Sequence, residues 1–340
     1  MVHEQSNNVH SGPRKRKVIV DTDPGIDDAM ALLYLHACND IDLHSITTVF
    51  GNGGQAITAR NAYYLVTRFG LDVPVIPGAE RPLSGDRIVP ELKVHGEDGF
   101  GDSNLSADHP MPPPGVPAWK WIANAVLESP GAISLLAIGP LTNLALALEY
   151  RPDIVDAIKE VVIMGGAFGT RGRTGNIVPH AEANFYYDAK AAEAVLRANW
   201  PVTAVGLDVS SDCILSSSQA DDLPSRAGAA GQFLRDISKG YEAIYREYDG
   251  IDGFALHDVA AAVCFTNPDL FECQETALGV EIAGDLRGQS LKLQNKSRRT
   301  QRFCSEVDRA QVVEQFLKAL SERFSSAPVP KKYQGTIEAQ

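Results

Sequence analysis

The sequence predicts a single Rossmann-like α/β domain with a mainly parallel central sheet flanked by helices, and three observations predict it. Short apolar runs rich in β-branched residues alternate with helical patterns; several of these runs end in polar or Gly-rich turns; no repeat or linker divides the chain. With 340 residues, 44% hydrophobic and 22% charged, the chain suits a soluble globular protein whose core can bury a site.

The elements follow in order. Val18-Ile19-Val20 is a buried strand running into Asp21, and a helix starts at about Ile26 and continues to His36. A strand over 43–50 ends in Gly51-Asn52-Gly53, a helix covers 56–69 and Val73-Pro74-Val75-Ile76 is a short strand. Residues 77–117, rich in Gly and Pro, carry the polar patch His95-Gly96-Glu97-Asp98-Gly99, and a loop of that length points to function. Next come a helix over 118–128, a strand over 133–138, a helix over 141–148 and a strand over 161–165. A Gly-rich loop over 165–180 leads to a helix over 188–198 and a strand over 202–209. An amphipathic helix over 232–248 carries Tyr241, Tyr245 and Tyr248; His257-Asp258 opens another helix; late strands are expected over 275–283 and 302–307. Residues 1–16 are expected as a disordered lead-in, 17–325 as the domain and 326–340 as a tail.

Charge and cysteine usage narrow the function. A net charge of −12 disfavours a broad nucleic-acid surface, which needs a positive field. Arg14-Lys15-Arg16-Lys17 directly precedes an apolar strand and reads as its solvated flank. Five cysteines without C-x-x-C spacing read as reduced thiols. The polar first seventeen residues show no secretory leader, and no stretch approaches a membrane span, so a cytoplasmic protein with no membrane role is expected.

Asp21, Asp23, Asp27 and Asp28 fall within DTDPGIDD at the carboxyl end of the first strand, where open parallel sheets bind ligands. Four carboxylates there raise one another's pKa unless a positive charge neutralises them, and a hard divalent cation with oxygen ligands does so. Pro24-Gly25 turns the chain so that Asp23 and Asp28 converge. Complementing a helix N-terminus would account for Asp27 and Asp28 but not for the two carboxylates upstream. A cation lowers the pKa of a water it binds and chelates a vicinal diol; Asp23 is the candidate base for that water. Such a site suits attack on an anomeric carbon through an oxocarbenium-like transition state.

From about Lys17 to Leu320 the sequence resembles the inosine–uridine-preferring nucleoside hydrolase family, with its motifs in order and DTDPGIDD as its signature. The resemblance implies a calcium-dependent ribonucleoside N-ribohydrolase that releases ribose and free base in nucleoside salvage or degradation. It implies calcium ligation by Asp23, Asp28, the Ile138 carbonyl and Asp258, with Asp23 also the general base. It assigns Asp27, Asn52, Asn176, Glu182 and Asn184 to the ribose, and His95 and His257 to the base side. A homodimer or homotetramer is implied too.

A nucleobase leaves poorly as an anion, and histidine, with a reference pKa of about 6.5, can protonate it. His257 is the expected acid. Tyr241 and Tyr245, spaced i, i+4, share a helix face and can stack on the base or simply fill the core. Plant-type members of the family often carry tyrosines before Leu-His-Asp; Asp252-Gly253-Phe254-Ala255 stands here, so uridine, inosine and xanthosine stay open as substrates. Two other readings compete. A haloacid-dehalogenase-type phosphatase would use Asp21 as nucleophile, against which Pro24 and the second Asp pair argue. A nucleoside-binding module without chemistry would leave every matched catalytic position unexplained.

Overall fold

In the computed structural model, which describes residues 15–86, 92–294 and 297–325, the sequence-predicted alternation becomes a nine-stranded sheet. Its strands are β1 (Arg16–Thr22), β2 (Ile41–Thr48), β3 (Val75–Pro77), β4 (Ile133–Ala137), β5 (Val161–Met164), β6 (Val202–Val205), β9 (Phe271–Val280), β10 (Ser290–Leu293) and β11 (Gln301–Val307). The order is β10-β9-β11-β6-β5-β4-β1-β2-β3. From β11 through β3 every neighbouring pair is parallel; β9 runs antiparallel to both β11 and β10. A separate two-stranded ribbon pairs β7 (Ile214–Ser216) with β8 (Gly253–Ala255).

Alternation along β1 divides the core into two layers. Val18 and Val20 pack with helices Ile26–Ala37, Leu223–Ile244, His257–Thr266 and Arg309–Phe324, whereas Ile19 faces Ala118–Glu128, Thr142–Tyr150 and Ala189–Arg197. The connection order reverses at β1: the chain moves outward to β2 and β3, then returns to add β4, β5 and β6 on the other side. The crevice between the carboxyl ends of β1 and β4 is therefore the topological switch point, where this architecture leaves room for a ligand.

Several expectations change. The strand expected over 202–209 ends at Val205, and Leu207–Ser210 is a short helix. An apolar run of this length carries no period that separates a strand from a buried helical turn. The tyrosine-bearing helix starts earlier, at Leu223, kinks at Ala227 and Gly228 (φ +53°), and passes at Tyr245–Asp249 into a π turn. The first strand begins at Arg16, inside the expected lead-in; residues 1–14 and the tail 326–340 lie outside the described residues. The ribbon β7–β8, strand β10 and helix Arg309–Phe324 have no counterpart in the sequence reading. Gly253 is required in that ribbon: at φ +135°, a Cβ there would sit 2.2 Å from the Leu215 carbonyl oxygen.

Candidate active site

At the switch point a cleft of about 530 Å³ opens above the strand ends. Asp27 and Asp258 reach it from the first turns of helices Ile26–Ala37 and His257–Thr266, whose N-terminal dipoles favour negative charge. Oxygens of Asp27, Asp28 and Asp258 all lie within 4.8 Å of one another, and all three side chains are buried. Asp23 and Asp28 stand just behind the cleft wall, at 1% and 0% exposure.

Burial and mutual repulsion govern these carboxyls. Burial first, then the charge of Asp28, lifts Asp23 well above the usual carboxylate range. The same causes take Asp27 up to about 8, and burial followed by Asp27, Asp28 and Asp23 raises Asp258 strongly. Burial also raises Asp28, although four donors hold it: Thr22 Oγ1 (2.5 Å) and the Asp23 amide (3.2 Å) on Oδ1, the Gly25 amide (3.0 Å) and Asn52 Nδ2 (2.9 Å) on Oδ2. Asp23 Oδ2 accepts from the Asn52 amide at 2.7 Å, whereas Oδ1 is buried without a hydrogen-bond partner. An orphaned carboxylate oxygen beside three crowded carboxyls is what an absent cation would leave, and hard oxygen donors fit a divalent one. The residues fit a metal.

Asp21 is different. Its Oδ1 accepts from Thr47 Oγ1 (2.6 Å) and Asn143 Nδ2 (2.8 Å), burial takes it up to about 7, and it does not line the cleft. Its Oδ2, like Oδ1 of Asp23, is buried without a hydrogen-bond partner. Asn143 is more than a helix-start residue: it also takes the Ala79 amide on Oδ1 (2.9 Å) and donates to the Thr48 carbonyl (3.0 Å), tying the ends of β1 and β2 to the next segment.

On the second wall, Glu182 caps the short helix Ala183–Tyr187 and accepts from the amides of Gly166, Asn184 and Phe185. Asn184 Nδ2 donates to the carbonyls of Ile138 and Met164 at the ends of β4 and β5, both at 3.2 Å. Asn176 Oδ1 accepts the Ala183 amide at 3.0 Å. The predicted polar residues Asn52, Asn176, Glu182 and Asn184, together with Ile138, thus face one cleft.

The third wall is aromatic. His257 Nδ1 lies 2.9 Å from Ser210 Oγ, its Nε2 2.8 Å from the Tyr245 hydroxyl, and Tyr245 meets Tyr241 at 3.4 Å. Burial, then Arg173, pushes His257 down to about 4, so the ring is neutral at pH 7. His95 ends a four-residue helix; its Nδ1 accepts from the Ile26 amide at 3.3 Å, and its ring lies 5.7 Å from that of Tyr241. Burial, then His257, pushes it down to about 3. The following turn is fastened by Asp98, which accepts from the amides of Phe100, Asp102 and Asn104, and by Asn61, which donates to the carbonyls of Pro24 and Asp98. Asp252–Ala255 does not line the cleft, whereas Tyr241, Tyr245 and Tyr248 do. Sequence reasoning also missed Lys93 and Arg173 at the cleft and Ser210 behind His257, since no local pattern links residues so far apart in the chain.

A Rossmann-like sheet with an oxygen-donor cluster at its switch point, faced by polar and aromatic walls, defines an α/β protein whose site fits a hard cation and a polar ligand. The sequence profile described as inosine-uridine preferring nucleoside hydrolase matches residues 18–314, and the chain belongs to that family. It is 36% identical to uridine nucleosidase 1 of Arabidopsis thaliana over 84% of each chain. It is 34% identical to the non-specific ribonucleoside hydrolase RihC of Salmonella enteritidis, over 92% of this chain and 98% of that one. Among solved structures, a plant nucleoside hydrolase superposes with a TM-score of 0.83 at 32% identity, covering 91% and 99% of the two chains. A purine-preferring ribonucleoside hydrolase from Gardnerella vaginalis gives the same TM-score at 29% identity, covering 92% and 100%. The chain is a nucleoside hydrolase acting on ribonucleosides.

Proposed function

We propose that the enzyme binds calcium and hydrolyses uridine, inosine and xanthosine to ribose and free base, as one domain over 17–325. The orphaned Oδ1 of Asp23, beside the Asp27–Asp28–Asp258 cluster, carries this reading. Asp23, Asp28, Asp258 and the Ile138 carbonyl would hold the ion. Bound there, the ion would lower the pKa of a coordinated water and chelate the ribose diol. Asp28 has donors on both oxygens, so ligation asks Asn52 Nδ2 to leave it; the freed amide then faces the ribose.

Asp23 takes the proton of the attacking water, while its Oδ2 stays held by the Asn52 amide. Asp27, Asn52, Asn176, Glu182 and Asn184 orient the sugar hydroxyls. Tyr241 and His95 flank the base. His257 serves as the leaving-group acid: in its protonated form the ring gives the Nε2 proton to the departing base by way of the Tyr245 hydroxyl and is left neutral, the form that burial favours. The carboxylate pattern favours calcium over softer ions, and the uridine-cleaving relative supports a pyrimidine substrate. Among the described residues no helix is long and apolar enough to cross a membrane. A cytoplasmic homodimer or homotetramer with no nucleic-acid or membrane partner completes the proposal.

Reducing-sugar release from inosine, uridine, xanthosine and adenosine, with calcium and with a chelator, tests it. Ribose release that stops on chelation and returns with calcium is expected. Release that survives chelation, or returns with magnesium but not with calcium, would remove calcium from the mechanism.

A further inference from the structure

Away from the cleft, three of the five cysteines meet where helix His257–Thr266 packs on the β9–β11 pair. Cys273 on β9 and Cys304 on β11 are direct partners in the antiparallel register, and their sulfur atoms lie 3.5 Å apart. Cys264, on helix His257–Thr266, approaches Cys304 from the other side at 3.8 Å. Directly opposed residues of an antiparallel pair have Cα atoms about 4.5–5.5 Å apart, within the span a disulfide bridges. The register slips immediately after this pair, between Cys304 and Glu306, which gives the strand local freedom to close the remaining gap. We propose that Cys273 and Cys304 form a peroxide-reactive thiol pair that closes reversibly to a disulfide.

Access and acidity divide the labour between them. Cys273 is half-buried, whereas Cys304 and Cys264 are buried. The hydrogen bond from Cys304, helped by Arg302, takes the Cys273 thiol down to about 7, while its bonds to Cys264 and Cys273 push Cys304 up. Cys273 is then the attacking thiolate and Cys304 the resolving thiol. The Cys273 sulfur attacks one peroxide oxygen, the O–O bond breaks, and the other oxygen leaves as water or alcohol after taking a proton. Cys273 is oxidised by two electrons to a sulfenic acid, and the peroxide is reduced. The Cys304 sulfur attacks that sulfur; the S–S bond forms, the S–O bond breaks, and the departing hydroxide takes the Cys304 proton as water. A dithiol reverses the product by exchange.

The full chain is treated with stoichiometric hydrogen peroxide, alkylated and mapped by mass spectrometry without reduction. The expected result is two thiols lost from five, a Cys273–Cys304 peptide pair lighter by about 2 Da, and recovery with dithiothreitol. Cys304→Ser should leave Cys273 as a sulfenic acid that dimedone traps. Because Cys304 is buried, Cys273→Ser is the second variant, and it should keep all four remaining thiols under the same dose. Five surviving thiols in the parent, a link through Cys264, Cys38 or Cys213, or Cys273 oxidised with no link would each overturn the proposal.

Discussion

At the residue scale the proposed chemistry rests on Asp23 and His257. Asp23→Asn keeps the size of the side chain and an acceptor for the Asn52 amide but removes the base, so turnover should fall by about 100- to 10,000-fold with the fold intact. Near-parental turnover, with circular dichroism unchanged, would take the base role away from Asp23. His257→Ala breaks the links to Ser210 and Tyr245, and its effect should be larger on inosine than on a substrate whose leaving group needs no proton. Comparing kcat on inosine and on p-nitrophenyl riboside decides this; equal losses on both would assign His257 to positioning. Asp21 illustrates a limit of sequence reading: nothing in DTDPGIDD separates the carboxyl locked by Thr47 and Asn143 from those at the cleft, because both partners come from other elements.

At the element scale, the helix bearing the aspartates is held to the C-terminal helix by His36. Its Nε2 lies 3.1 Å from Arg323 Nη2 and can accept from it only while neutral, and the ring lies 6.0 Å from Phe324. Burial, then the Arg323 charge, lowers His36 to about 4, below its unfolded value of about 6.5. The unfolded chain therefore takes the proton first. The stabilisation is complete above about pH 6.5 and is lost as pH falls from there through about 4. His36→Gln, which accepts but cannot titrate, should lose less stability between pH 7 and pH 4.5 in urea unfolding; parallel losses would show that this contact is not pH-linked.

Elements with a clear period or cap were the legible ones. Helix Ala118–Glu128 was read to its ends, and the strand–turn–helix around DTDPGIDD was read in place. The kink at Ala227–Gly228 and the π turn at Tyr245–Asp249 were not, because tertiary packing sets them: the π turn carries Tyr245 onto His257. The ribbon β7–β8 escaped for a related reason, since three-residue strands paired across 36 intervening positions leave no local period to read.

For the whole molecule, the site is a store of unfavourable charge that the proposed ion relieves. With Asp27 raised to about 8 and Asp23 and Asp258 also raised well above the carboxylate range, the metal-free fold binds protons that the unfolded chain, near 3.8, does not. Its stability is thus lost as pH rises above about 4 toward 8 and these groups ionise against one another. A cation removes that penalty. The difference in Tm between calcium-loaded and chelated protein should therefore widen from pH 5 to pH 8, as thermal scans would show; a gap that is constant or narrows would separate the ion from these carboxyls. The carboxylate cluster was legible because Asp23, Asp27 and Asp28 sit in six consecutive residues, whereas Lys93, Arg173 and Ser210 join the site only through the fold.

The sheet's outer strand has a further consequence. β3 is three residues long, follows Pro74 and ends in Pro77, so two of its neighbouring positions have no N–H to offer. An edge this short and this poor in donors is a poor template for a strand from another chain. On that side the sheet is protected against growth into fibrils, and strand-to-strand assembly of the enzyme through this edge is disfavoured.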